Sequence, residues 1–349
     1  MRLKHLTLTD HRNIAHAELT PDPHLTVLCG PNGQGKTNLL EAVWLLTGGK
    51  SFRGSKDSEL IRRGCEFSVL EGELDTNSGE KSIRLTVGSK TSQRPGRTGR
   101  LNGADVGRAA ALAGNFQAVV FEPDLLSLVK GGPEGRRRFL DTALSQVYRP
   151  YLVALRRYMR LTSQKNALLK SYDITPNGKV LLDAYDEQLA QYGSVILQHR
   201  QQFIATLAPV AAQNYHDISH GAEALQDKMY AMRATELRAG FCLAGPHRED
   251  VEILLDGQPA RIYGSQGQQR SAVLAMKLAE ATVVGDLFGE HPVLLLDDVL
   301  SELDDERQTY LLTRMGEHQT IVTTCDTAAF ARTNGKIVYV KGGTAADKE

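Results

Sequence analysis

The chain has 349 residues, of which 41% are hydrophobic and 23% charged, and its 41 basic and 41 acidic residues leave no formal net charge. This is the composition of a soluble globular protein of more than one domain, and it excludes a uniformly basic nucleic-acid binder. No apolar run approaches bilayer-span length, Met1-Arg2-Leu3-Lys4-His5 opens without a signal-like apolar stretch, and Cys29, Cys65, Cys242 and Cys325 form no C-x-x-C pair. A membrane span, a disulfide framework and a zinc site are thereby disfavoured, and a cytoplasmic location is expected.

In chain order, Leu3, Leu6 and Leu8 open a strand, with Leu6 and Leu8 in strand alternation. Residues 24–29 form a second strand that runs into a Gly/Pro/Asn turn. A helix follows from about Lys36, carrying Leu39, Leu40, Val43, Trp44 and Leu46. Residues 67–74 and 82–88 read as strands of a hairpin or meander. Residues 89–103, rich in Gly, Arg, Ser and Thr, read as an exposed, mobile loop. Residues 118–121 form a short buried strand before Pro123.

The middle of the chain changes character. Residues 134–144 are helical, and residues 151–169 place Leu152, Leu155 and Met159 at helical spacing. A turn at 171–178, with Pro176-Asn177-Gly178, leads into a helix over 180–212 of roughly 50 Å at about 1.5 Å per residue. Two long helices joined by such a turn make an antiparallel hairpin, projecting from a globular head. The tail returns to α/β alternation: a helix after Ser265, a strand at 293–296, a helix after Asp304, and strands at 320–323 and 336–340. Three parts follow: residues 1–130, 131–240 and 241–349.

Charge is unevenly distributed along these parts. Residues 130–170 hold ten Lys and Arg against two acidic residues, and residues 81–108 hold seven against one. Residues 241–349 hold ten against seventeen. A basic zone beside an acidic one can bind a polyanion while the molecule stays neutral.

Three motifs carry chemistry. Gly30-Pro31-Asn32-Gly33-Gln34-Gly35-Lys36-Thr37 fits G-x-x-x-x-G-K-[ST], after an apolar strand and opening a helix. The glycines let backbone N–H groups wrap a β-phosphate, and the helix start adds its positive dipole end. Lys36 reaches β/γ oxygens, and the Thr37 hydroxyl is a hard ligand for Mg²⁺. Val293-Leu294-Leu295-Leu296-Asp297-Asp298 is a buried strand ending in two carboxylates. Asp297 is assigned to the metal and Asp298 to the attacking water as general base. Ser265-Gln266-Gly267-Gln268-Gln269-Arg270 precedes a helix. It reads either as an anion site made by the Ser265 hydroxyl and the Gly267 N–H, or as a polar helix cap.

Together these elements resemble the ATP-binding-cassette superfamily, with Ser265-x-Gly267-Gln268-Gln269 as its signature and Ser301-Glu302-Leu303-Asp304 as its dimer-contacting loop. The likeness extends to the RecF family of SMC-like ATPases. It is carried by His11-Arg12-Asn13, Gly35-Lys36-Thr37-Asn38-Leu39-Leu40-Glu41-Ala42, Ser51-Phe52-Arg53 and Phe121-x-Pro123-Asp124-Leu125. Arg136-Arg137-Arg138-Phe139-Leu140-Asp141 and Gly245-Pro246-His247-Arg248 carry it further. The resemblance implies an α/β fold, an ATP-binding-cassette (SMC-like) head with an inserted helical-hairpin arm. It implies ATP and Mg²⁺ as cofactors, with Arg12 and Asn13 joining the nucleotide site. It implies a homodimer in which the signature of one copy, through Ser265, Gly267 and Gln268, covers the γ-phosphate held by the other. It further implies binding of single- and double-stranded DNA near gaps or junctions, and cooperation with RecR and RecO in loading RecA.

Two departures bear on rate. Thr324, followed by Cys325, stands where the superfamily carries a switch His, and Asp298 replaces a Glu one methylene longer. Both suit a weak, DNA-stimulated ATPase acting as a switch. Gln117 is a candidate lid residue. Arg53 is a candidate nucleotide sensor, and His247 reads as a structural turn or as a DNA or nucleotide contact.

For DNA, Arg136, Arg137, Arg156 and Arg160 are the candidate phosphate contacts, Arg156 and Arg160 sharing a helix face. A solvated helix face is the open alternative, and for Arg136 to Arg138 so is a structural role at the head–arm junction. Lys90, Arg94, Arg97 and Arg100 form a second basic loop. The alternative function is the ATPase subunit of a membrane transporter, against which the inserted hairpin and Thr324 both argue. A long SMC-type scaffold is excluded by the short hairpin.

Overall fold

The computed structural model describes residues 1–123, 126–171, 176–219, 245–255, 257–327, 330 and 333–347. Strands β1 (Arg2–His11), β2 (Ile14–Leu19) and β3 (Leu25–Cys29) precede helix α1 (Lys36–Leu45). Strands β4 (Phe67–Thr76), β5 (Gly79–Gly88), β6 (Gly96–Leu101), β7 (Ala104–Arg108) and β8 (Ala118–Phe121) follow. Helices α2 (Ser127–Lys130), α3 (Pro133–Val147), α4 (Arg149–Lys170) and α5 (Gly178–Ser219) fill the middle. Then come β9 (Leu254–Leu255), β10 (Gln258–Pro259), α6 (Ala260–Tyr263) and α7 (Gln266–Phe288). The last elements are β11 (Val293–Asp297), α8 (Asp305–Arg314), β12 (Thr320–Thr324), β13 (Lys336–Lys341) and β14 (Thr344–Asp347).

Two compact units result: residues 1–125 with 280–349, and residues 126–279. The boundary expected near residue 130 falls beside this division. The one expected near 240 lies outside the described residues, and residues 245–279 group with the helices of the second unit.

The first unit holds two six-stranded sheets, β2-β1-β4-β5-β6-β7 and β14-β13-β3-β12-β11-β8. In the second sheet β13, β3, β12, β11 and β8 run parallel, and β3 and β11 are buried along almost their whole length, as strands covered on both faces must be. The antiparallel sheet instead alternates: along β4, Ser68, Leu70, Gly72, Leu74 and Thr76 point inward. Leu3, Leu6 and Leu8 are all buried, although Leu3 and Leu6 are out of step for a regular strand. A register shift between Leu3 and His5 against β4 supplies the extra residue that brings them to one face. Leu39, Leu40, Ala42, Val43, Leu45 and Leu46 of α1 and its end join the strands of both sheets in one apolar core.

Residues 89–103 are not all loop. Residues 96–101 form β6, paired along β5, and the half-buried Arg97 bonds Asp57 at 3.1 Å and the Gly49 carbonyl. Glycine hides this strand from a propensity reading. Gly99 is needed because a Cβ there would come within 2.8 Å of the Leu112 side chain.

In the second unit α5 runs for 42 residues, about 63 Å at 1.5 Å per residue, longer than the sequence suggested. The buried stripe of α4 is Tyr151, Ala154, Tyr158, Leu161, Leu168 and Leu169. Met159, expected on the apolar face, is 56% exposed. The stripe is rotated because tyrosines with bonded hydroxyls take core positions: Tyr151 donates to Asp141, and Tyr158 meets Nδ1 of His247 at 2.8 Å.

Leu40 is fully buried in the core shared by both sheets. Leu40→Ala is expected to cost about 2–5 kcal/mol, read as a lowered urea midpoint by circular dichroism. An unchanged midpoint would contradict this packing.

Candidate functional site

The C-terminal ends of the parallel strands converge, which is where open α/β sheets bind ligands. From β3 the chain turns through Gly30-Pro31-Asn32-Gly33-Gln34-Gly35 into α1. Gly30 has φ +156°, and a Cβ there would lie 2.3 Å from the Val340 carbonyl, so only glycine fits. Gly33 and Gly35 have φ +78° and +111°. The turn between β13 and β14 backs the loop: Gly343 N–H donates to the Gln34 carbonyl at 3.0 Å and Gly342 N–H to its Oε1 at 2.7 Å. Gln34 is therefore a brace for the loop.

Lys36 is buried, with Nζ donating to the Gly30 carbonyl and, at 3.0 Å, to that of Pro31. Thr37 Oγ1 donates to Asp297 Oδ1 at 2.8 Å. Thr323 of β12 donates to the same oxygen at 2.8 Å and accepts from the Asp298 N–H at 3.0 Å. The two residues assigned to metal thus meet, and Thr323, missed in the sequence, joins them across the intervening strand. Such a pair of hard oxygens suits Mg²⁺, which takes one or two protein ligands and completes its shell from water and phosphate. Asp298 sits at φ +52° beside them. Burial raises its pKa above the usual carboxylate range; Lys36 opposes the rise and Asp297 adds to it. A raised pKa makes a carboxylate a stronger base.

Arg12 and Asn13 take different roles. Arg12 is held bidentately by Glu41, at 2.6 and 2.8 Å, and donates also to Ser55 Oγ and the Glu59 carbonyl. Four of its five N–H groups are engaged within the chain, which positions α1 and the loop and leaves one N–H for the nucleotide contact expected of it. Asn13 donates to the Gly33 carbonyl at 3.3 Å and accepts from Asn38 at 2.7 Å, and Arg53 donates to Asn38 at 2.9 Å. Glu41 was legible only as a carboxylate stranded in an apolar helix run. Burial raises its pKa, but the bonds from Arg12 and Ser51 outweigh this and hold it below its ordinary value.

The two residues at the end of β12 differ in what they reach. Thr324 Oγ1 closes its own turn on Asp326, whereas Cys325 reaches the phosphate loop. Gln117 is fully buried, and its carbonyl accepts from the Val293 N–H. Since Ala118 pairs with Val293 and Phe121 with Leu296, Gln117 lies at the sheet end opposite Asp297 and is no lid residue. In the second unit, Ser265 and Gln268 form a reciprocal cap on α7. Gln268 N–H donates to Ser265 Oγ at 3.2 Å, and Ser265 N–H to Gln268 Oε1 at 2.8 Å. Gly267 follows in the first turn, and Gln269 is buried on the Ala260 carbonyl.

Of the candidate DNA contacts, Arg136 is corrected. It is 7% exposed, doubly bonded to Asp250 at 2.7 and 2.8 Å, and donates to the Leu128 and Gly131 carbonyls. Arg137 is half-buried and donates to the Glu249 carbonyl at 2.6 Å. Arg200 binds Asp141, Tyr151 and the Pro246 carbonyl. These cations, with Tyr158 on His247, pin residues 246–250, so His247 serves a structural turn. Lys165 is buried on Asp186. Arg149, Arg156, Arg157 and Arg160 are exposed on α4.

A parallel sheet with a glycine phosphate loop, an acidic strand end and a long helical insertion defines the class of SMC-like ATPase heads. Comparison with known proteins agrees. The family described as RecF/RecN/SMC N terminal domain matches residues 2–345. A DNA replication and repair protein RecF of Geobacillus thermodenitrificans is 38% identical, covering 93% of this chain and 92% of that one. Its Bacillus subtilis counterpart is 38% identical, covering 93% of each. A solved structure described as the recombination mediator protein RecF-ATPrS in RecFOR pathway superposes with a TM-score of 0.90 at 31% identity, covering 100% of this chain and 98% of that one. The Smc head of Pyrococcus furiosus, at 17% identity and a TM-score of 0.57, shares the fold. The chain belongs to the RecF family of DNA replication and repair proteins.

His11, fully buried beside Glu41, has its pKa pushed down to about 4, chiefly by burial and also by Arg12, with Glu41 opposing. A buried neutral ring contributes stability that is complete above the free value of about 6.5 and is lost as pH falls towards 4. His11→Gln should therefore show a shallower fall in melting temperature than wild type between pH 7 and pH 4.5. Equal slopes would remove His11 as the cause.

Proposed function

We propose that this chain is an ATP-dependent DNA-binding switch of recombinational repair. Two copies close around two ATP molecules, grip DNA near gaps, and let go on slow hydrolysis. The observation that carries this reading is the convergence of Thr37 and Thr323 on Asp297 at the mouth of the glycine loop, with the Lys36 charge inside it. ATP as the nucleotide is supported by the related structure described as RecF-ATP, at a TM-score of 0.89 and 31% identity.

In this reading the loop amides and Lys36 bind the β- and γ-phosphates. Thr37 and Asp297 would hold Mg²⁺, which when bound neutralises phosphate charge. Asp298 orients and deprotonates the attacking water. Its backbone is fixed by Thr323, and its carboxylate is one methylene shorter than the usual glutamate, which favours slow turnover. The γ-phosphate draws the capped start of α7, with Ser265, Gly267 and Gln268, from the second copy.

DNA lies on α4, which carries six Lys or Arg and no acidic residue. Its exposed arginines meet phosphates rather than base edges, so binding tolerates sequence and follows DNA shape. RecR and RecO are the proposed partners, and RecA the protein loaded through them. Support comes from the related structures, which are described as belonging to the RecFOR pathway. The proposed location is the cytoplasm, in keeping with the related DNA replication and repair proteins.

Sedimentation with and without ATP tests the dimer. Wild type should pass from monomer to dimer on adding ATP, Lys36→Met should not, and Ser265→Arg should bind ATP yet stay monomeric. A Ser265→Arg protein that dimerises normally would sink the shared site. For DNA, Arg156→Ala/Arg160→Ala should weaken duplex binding alike across sequences and lower the slope of log K against log salt by about 2. An unchanged slope would move the DNA away from α4.

A further inference from the structure

β12 delivers an unassigned side chain to the phosphate loop. Cys325, one residue beyond the strand, is exposed, with Sγ 3.1 Å from Asn32 Oδ1 and 3.4 Å from Lys36 Nζ. The first contact is an S–H bond to the loop, and in the second the Lys36 ammonium donates to the sulfur. A second thiol adjoins it: Cys29, the last residue of β3, is buried, pairs in register with Thr324, and directs Sγ at the Cys325 carbonyl at 4.0 Å. Cys325 thus borders one ammonium and one loop amide, with the Cys29 thiol behind it. Of these two thiols, Cys325 is the one exposed to solvent.

We propose that Cys325 is a thiol modification site that gates the phosphate loop, with low-molecular-weight disulfides as its reagent class. The inference rests on the nucleotide reading above. Cys325 loses its thiol proton to solvent, and the thiolate attacks one sulfur of RS–SR. The new Sγ–S bond forms as the old S–S bond breaks, and RS⁻ leaves and takes up a proton. Cys325 is oxidised and half of the reagent reduced; added thiol reverses the exchange. Two consequences follow from the contacts. The adduct has no S–H to give Asn32, so the loop loses a tie to β12. Its bulk starts about 2 Å from a sulfur already touching Lys36, so it occupies the space through which phosphate reaches that ammonium. If the adduct carries carboxylates, as glutathione does, they compete for the same charge. ATP, in turn, shields Cys325.

The test uses the full-length protein, oxidised glutathione, intact-mass and peptide analysis, and titration with a fluorescent ATP analogue. Glutathione should add at Cys325, lower ATP affinity at least about tenfold, and be reversed by dithiothreitol. ATP with Mg²⁺ should slow the addition. A Cys325→Ser protein, whatever its own affinity, should not change on treatment. A wild-type protein capped at Cys325 that binds ATP as before, no adduct at Cys325, or an equal loss in treated Cys325→Ser would each overturn the gate while leaving the nucleotide site standing. An untreated wild type that binds no ATP would instead overturn the nucleotide reading and the gate with it.

Discussion

One carboxylate oxygen organises the first unit's working edge. Asp297 Oδ1 receives hydroxyls from Thr37 and Thr323, each at 2.8 Å. The acceptor ends β11, one donor sits on β12, and the other opens the helix that follows β3. Three strand ends that are not all neighbours are thereby held in one geometry. The glycine loop hangs between these points, and its remaining supports come from the β13–β14 turn through Gln34 and from Asn13 through Gly33. The loop is fixed partly by its own Gln34 and Lys36 side chains and partly by the β13–β14 turn and Asn13. The buried tie also brings hydroxyl and carboxylate oxygens together where a hard cation can use them.

A few arginines serve as internal connectors in this molecule. Arg12 joins the β1–β2 turn to α1 through Glu41, while Arg136 and Arg200 join the helices of the second unit to residues 246–250. Breaking a buried, hydrogen-bonded pair costs about 3–5 kcal/mol, whereas exposed pairs contribute about 0–1 kcal/mol. These arginines therefore belong to the stability of the fold, and the basic balance of residues 130–170 overstates the positive surface. What remains exposed in that stretch is concentrated on α4, where Arg149, Arg156, Arg157 and Arg160 are exposed and no acidic residue of the helix itself lies among them. Electrostatic attraction to a polyanion needs only such a stripe.

Membership of the RecF family and the chemistry of the site point the same way. A braced phosphate loop, with two hydroxyls and a carboxylate meeting at its mouth, describes a site built to hold a nucleotide phosphate. The helix cap at Ser265 and Gln268 is preformed within its own chain, so its use by a second copy would require little reordering.

The phosphate loop, the acidic strand end, the capped helix and the long helical insertion were legible in the sequence, because each is a local pattern. Glycines at fixed spacing permit only certain backbone angles, an apolar run of strand length must be buried, and Ser-x-x-Gln caps a helix wherever it occurs. Tertiary structure decided what depends on residues distant in sequence. It put Thr323 between Thr37 and Asp297, chose Cys325 over Thr324 to face the loop, and took Gln117 to the wrong end of the sheet. It turned Arg12 and Arg136 inward and concealed β6 behind glycines that make room for Leu112. The sequence records which groups are present. Which of them face one another is set by strand order and register, through contacts hundreds of residues apart that no local pattern encodes.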